Sequence, residues 1–217
     1  MRFSFARGLF RFRLAILGAI AFLLVAILVL AAVSWSILQR QGTSPAARRF
    51  VAVIPVPAAR VEGETLLYRD LLPHWDAVET MMAERSDPPE VAAPIRRQAR
   101  AEAYDQPIRQ AYLRNQAERE RVQLPETAVE SNLQGLLALQ VPGTSSTEPI
   151  APADADRFLR ETVGWSLEEF RDRIVRPATL EEALARRAEA GGIARADWAR
   201  QLEEALHGSA VRRFLRF

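Results

Sequence analysis

From Leu14 to Leu38 the chain carries no charged residue, and that run constrains its possible folds more than any other feature. About 20 apolar residues in an α-helix cross a hydrocarbon layer roughly 30 Å thick, so residues 14–38 predict one transmembrane helix with room for tilt. The h-region of a secretory signal is shorter, about 7–15 residues. Small residues near Ala31, Ala32 and Ser34 offer a cleavage site, but length favours an uncleaved anchor.

Charge sets the expected orientation. Arg2, Arg7, Arg11 and Arg13 precede the run, whereas Arg40 alone follows closely. The positive-inside bias places residues 1–13 in the cytoplasm, as an arginine-rich end, and everything after Gln39 outside it. The expected location is therefore the inner membrane, with the carboxy-terminal domain outside the cytoplasm. Phe3, Phe5, Phe10 and Phe12 on the inner side, and Trp35 on the outer, suit headgroup depth. Every base in the chain is arginine. Once the first four are set aside, 25 bases face 27 acids, and that balance gives nucleic acid no claim as a partner. The absence of cysteine excludes disulfides, thiol catalysis and cysteine-bound zinc.

The rest reads as mainly α, with at most a short β element. Residues 39–49 form a polar linker. Phe50 to Ile54 alternates like a short strand, and Val61-Glu62-Gly63 supplies a turn or a second strand. A helix is expected from about Leu66 to Arg85, with Pro73 inside it. A longer one follows from Glu90 to about Val122, with Val91, Ile95, Ala99, Tyr104, Ile108 and Tyr112 on one side. Thr127 with Glu130, and Ser166 with Glu169, stand at capping-box spacing. Residues 141–152 have loop composition, a short helix over 153–163 stops at Gly164, and Pro177 interrupts the helix that Ser166 opens. Thr179 and Glu182 restart it, and Gly191-Gly192 end it. Residues 188–217 hold a last amphipathic helix carrying Trp198, Leu202, Leu206 and Phe214.

No catalytic, cofactor-binding or metal-binding constellation emerges. His74 and His207 stand far apart and read as packed or solvated. Acids such as Glu168, Glu169, Glu181 and Glu182 sit in first turns, where capping and the helix dipole account for them. The chain is not expected to be an enzyme.

The order of pieces nevertheless resembles a known family. Val61-Glu62-Gly63-Glu64 with Leu67 and Asp70 is similar to its "V-N-G-x-x-I" opening. Ala117, Val122, Leu124 and Val129 are similar to its "A-x-x-x-x-I-x-V" helix exit. Gly164-Trp165-Ser166 with Glu168, Glu169, Phe170 and Arg176-Pro177 is similar to "G-x-S-x-E-E-F". Together these resemble the amino-terminal domain of the SurA family of extracytoplasmic chaperones and peptidyl-prolyl isomerases, in a membrane-anchored, PpiD-like arrangement. The resemblance covers residues 50–187 and implies a helical domain that holds unfolded or nascent exported polypeptides. The family's parvulin isomerase domain would follow Arg187 and needs about 90–100 residues, more than 188–217 supply. The expectation is the chaperone part without the enzyme.

Two functions follow from that resemblance: a tethered chaperone-like module, or a scaffold that grips one membrane-protein partner. The lipid bilayer, met through residues 14–38, is a partner in both. Candidate peptide-binding or core residues are Trp75, Tyr104, Tyr112, Trp165, Phe170, Trp198 and Phe214. Trp165 and Phe170 read first as core, while for Trp198 and Phe214 docking on the domain and presentation of a patch stay open.

Overall fold

The computed structural model describes residues 25, 27–36, 44–83, 85, 88–140 and 151–215. Residues 27–36 are helical, and Leu28 and Trp35 there are exposed. Among the described residues no helix is long and apolar enough to cross a membrane. Residues 1–13 and most of the expected span 14–38 lie outside them, as does the loop over 141–150. The chain divides into two compact units, the first ending at Phe50 and the second covering Val51 to Leu215.

The expected strand over 50–54 is a helix. Helix α1, Pro45–Val53, also takes in the second half of the expected linker 39–49. Its start is built locally: Pro45 opens the first turn and Ser44 Oγ accepts from Ala47 N–H at 3.2 Å. Pro55 bars helical geometry at the residue before it, so the helix stops there.

Strands β1 (Pro57–Val61) and β2 (Glu64–Leu67) then form an antiparallel hairpin. Its two turn residues, Glu62 and Gly63, take φ of 48° and 103°, the positive values that a two-residue hairpin loop demands. Glycine adopts that geometry freely and glutamate does not; the Glu62 carboxylate is held by Arg119 at 2.8 Å. Asp70 accepts from Leu67 N–H at 3.0 Å, which ties the strand end to the next helix.

That helix, α2 (Tyr68–Ala83), starts two residues later than expected because Leu66 and Leu67 belong to β2. It buries Tyr68, Leu71, His74, Trp75 and Val78 along one face despite Pro73. Helix α3, Pro89–Glu120, packs against it. The buried stripe of α3 runs through Tyr104, Ile108, Ala111 and Leu113, while Val91, expected on that stripe, is exposed.

Helices α4 (Glu126–Gln140) and α5 (Pro152–Thr162) build a second apolar cluster, in which Leu133, Leu137 and Leu159 surround Trp165 and Phe170. The capping box expected at Thr127 does not form. Pro125 opens the turn instead, and Glu130 accepts from Gln134. Gly164 takes φ of 75° after α5, as a helix-ending glycine should, and a side chain there would press on Thr80. At Ser166 the capping box is complete, with both reciprocal bonds made, and it opens α6, Leu167–Phe170.

Pro177 does not interrupt the helical path. Residues Arg171–Val175 widen into a π turn, where Arg176 N–H reaches Arg171 O, and α7 (Arg176–Ala190) continues at once. An ordinary residue at 177 would bond Arg173 O in an α-helix. Gln110 Nε2 fills that role from α3 at 2.6 Å.

The expected amphipathic helix over 188–217 is divided. Residues 188–190 end α7, Gly191-Gly192 turn the chain, and α8 covers Arg195–His207. Strand β3, Val211–Arg213, then pairs antiparallel with β1 to complete a sheet of order β2-β1-β3. At Gly208 a Cβ would lie 2.9 Å from Glu204 O, so the chain leaves the helix where only glycine fits. The alternation of Val211, Arg212 and Arg213 then suits an edge strand with one buried side.

Candidate functional site

The seven candidate aromatic residues separate into two groups. Trp75, Tyr104, Trp165 and Phe170 are buried. Trp75 Nε1 donates to Arg100 O at 3.1 Å, and its ring meets Tyr68 edge to face at 5.3 Å. Tyr104 donates its hydroxyl to Ala58 O at 2.8 Å, the same carbonyl that Phe214 N–H reaches at 3.0 Å. Burial pushes the Tyr104 hydroxyl up to about 12, against backbone N–H groups of Leu215 and Phe214 that favour its ionised form. Trp165 Nε1 donates to Pro73 O at 3.1 Å, and its ring meets His74 edge to face at 5.6 Å. These four hold the fold and offer no surface to a ligand. Phe214 is half-buried at the end of β3, with the Arg212 guanidinium 5.5 Å from its ring.

Tyr112 and Trp198 differ from the rest. Both are half-buried, and both line one groove of about 330 Å³. Helix α3 supplies Tyr112, Leu113 and Gln116; α7 supplies Leu184 and Ala188; α8 supplies Trp198, Gln201 and Leu202. Ile193, exposed in the turn before α8, also lines it. The volume lies at the small end of the range for ligand pockets and has room for one large side chain. Gln116 donates to the Tyr112 hydroxyl at 2.9 Å. Gln116, Tyr112 and Gln201 therefore set amide and hydroxyl groups along an apolar floor. Arg187 and Glu120 stand at the rim, only 4.0 Å from each other, so the mouth is close to neutral.

Sequence reasoning finds Tyr112 and Trp198 but not the groove, because it places Tyr112 on the stripe of α3 that carries Tyr104 and Ile108. Residues 109, 113, 116 and 120 lie at helical spacing and mark a second stripe on the same helix. Their mixture of leucine, glutamine, arginine and glutamate hides it from a search for apolar residues.

His74 is buried, and burial together with the nearby Arg173 guanidinium pushes it down to about 4. It is a packed neutral imidazole against Trp165. His207 is exposed, 3.8 Å from Glu203. Among the described residues no group of three or more histidine or acidic side chains is placed to hold a metal ion. Comparisons with protein-family models, with curated proteins and with solved structures find no match to this chain.

Proposed function

We propose that this chain is a membrane-anchored, chaperone-like module outside the cytoplasm, which binds single apolar side chains of unfolded exported polypeptides without catalysing prolyl isomerisation. One observation carries the reading: Tyr112 and Trp198, aromatic and only half-buried, meet in a groove whose floor is apolar and whose edges carry amide and hydroxyl groups. An extended polypeptide offers the complement of both, an apolar side chain and unpaired backbone carbonyls. The near-neutral mouth suits clients of varied charge, with weak affinity and little salt dependence. The likeness of residues 50–187 to the SurA amino-terminal domain, and the charge-free run over 14–38, support the same reading.

The test uses the full chain in nanodiscs with a chemically denatured client, followed by light scattering. The intact chain should slow aggregation, and Trp198→Ala should weaken that protection about tenfold, as loss of an aromatic anchor does. A proline-limited refolding assay run alongside should show no acceleration. For topology, Phe3→Cys and Ala46→Cys should differ on intact cells, with a membrane-impermeant maleimide labelling position 46 alone. Protection absent at stoichiometric excess, with one partner retained in a membrane pull-down, would replace this reading with the dedicated scaffold.

A further inference from the structure

The groove has three walls on three helices, and one side chain reaches all three. Arg109 lies on α3, one turn before Tyr112 and Leu113. Its Nε and Nη2 donate to the two carboxylate oxygens of Glu181 on α7, at 2.8 and 2.7 Å. Its Nη1 donates to Glu203 on α8 at 2.7 Å. Glu181 stands one turn before the wall residue Leu184, and Glu203 is next to the wall residue Leu202.

Helix α8 is tied to α7 at its start by Arg195, which pairs with Glu182, whereas Arg109 ties its second half to both α3 and α7. Helix α8 buries only Leu202 and Leu206, and it joins α7 through a turn in which Gly192 takes φ of 89°. We infer that Arg109 is the positioning residue of the groove, its guanidinium fixing how far α8, and with it Trp198, stands from α3 and α7. The inference rests on the reading of the groove as the client site, and it names the element that sets its width. A planar fork suits this role where lysine would not, because two parallel bonds to Glu181 fix the guanidinium plane and aim the remaining nitrogen at Glu203. Arg109 touches no client in this scheme; it acts through α8.

The absence of cysteine makes the test direct. Ala188→Cys places a single thiol in the groove wall of the full chain. Its rate of maleimide labelling then reports how open the groove is. Arg109→Gln should raise that rate about fivefold, and Arg109→Lys should fall between it and the parent. Glu203→Ala, which removes the tie from Arg109 to α8 and leaves the Arg109–Glu181 pair intact, should raise it as well. Labelling of both Arg109→Gln and Glu203→Ala within about twofold of the parent would overturn the inference. If Arg109→Gln fails to fold, Glu203→Ala decides alone. A neutral acetylated heptapeptide with a central phenylalanine separates the two readings. Protection of the parent thiol by the peptide tests the groove as a client site, and the rates without peptide test Arg109.

Discussion

Trp165 and Trp198 stand in similar sequence, each near the start of a helix with acids around it, yet they occupy opposite environments. Trp165 is buried in the cluster of Leu133, Leu137 and Leu159, with its ring nitrogen bonded to Pro73 O, its ring edge to face with His74 and the Arg173 guanidinium 5.9 Å from the ring centre. Trp198 is half-buried at the edge of a groove. The difference lies in what each helix packs against. The segment from Ser166 is capped, contacts α5 and α4, and continues without a break into α7. Helix α8 starts from Ala194, which provides no side-chain cap, and has two buried leucines. An aromatic residue stabilises the fold where neighbouring elements close around it, and stays available where they do not.

The largest effect expected from this comparison is on stability. Trp165→Ala should cost about 3–5 kcal/mol, because it removes a large buried ring and leaves Pro73 O without that donor. Trp198→Ala should cost under about 1 kcal/mol and act on client binding instead. Urea denaturation of the two variants measures both. Equal losses would erase the distinction between core and groove.

Acid should act on the core side of the comparison. His74 titrates near 4 in the fold and near its ordinary 6.5 when unfolded. The unfolded chain therefore takes up its proton first as pH falls. Stability is complete above about pH 6.5 and declines towards pH 4, by roughly 3 kcal/mol from this group. His74→Leu should flatten the curve over that window. A slope that survives in His74→Leu would assign the acid sensitivity to other groups.

The third expectation is smaller. Ser166→Ala removes the hydroxyl of a complete capping box and should cost about 1 kcal/mol in thermal or urea unfolding. Glu169→Gln should cost less, because an amide oxygen can still accept from Ser166 N–H.

How far the sequence reveals these features depends on whether the determining contacts are local. The Glu62-Gly63 turn, the box at Ser166 and the stop at Gly164 are legible because their partners lie within three or four residues. Phe50 to Ile54 misleads because alternation over five residues is weak, while Ser44 and Pro45 a turn earlier start a helix. Pro177 misleads because its remedy, Gln110, lies on another helix. The end of the chain misleads because β3 exists only through pairing with β1, about 150 residues away in sequence. The groove is half legible. Its two aromatics stand out, but the tie from Arg109 to Glu181 and Glu203 spans three helices, and no spacing along one helix announces it.

The smallest effect should come from supplying α8 with what α6 already has. Ala194 sits at the N-cap of α8 with φ of −62° and ψ of 144°, the extended geometry a capping residue uses, but its methyl group can accept no bond. Asp197 already occupies the third helical position, where a side chain can reach back to the cap. Ala194→Ser should therefore gain about 0.5–1 kcal/mol, since the residue is exposed and the hydroxyl needs no other rearrangement. A more firmly started helix holds Trp198, one turn further on, closer to its place in the groove wall. The same variant should slow maleimide labelling of Ala188→Cys, in the direction opposite to Arg109→Gln. A stability gain without slower labelling would show that the first turn of α8 and the width of the groove are independent. Slower labelling would make α8 the adjustable wall, with Ala194 and Arg109 setting it from its two ends.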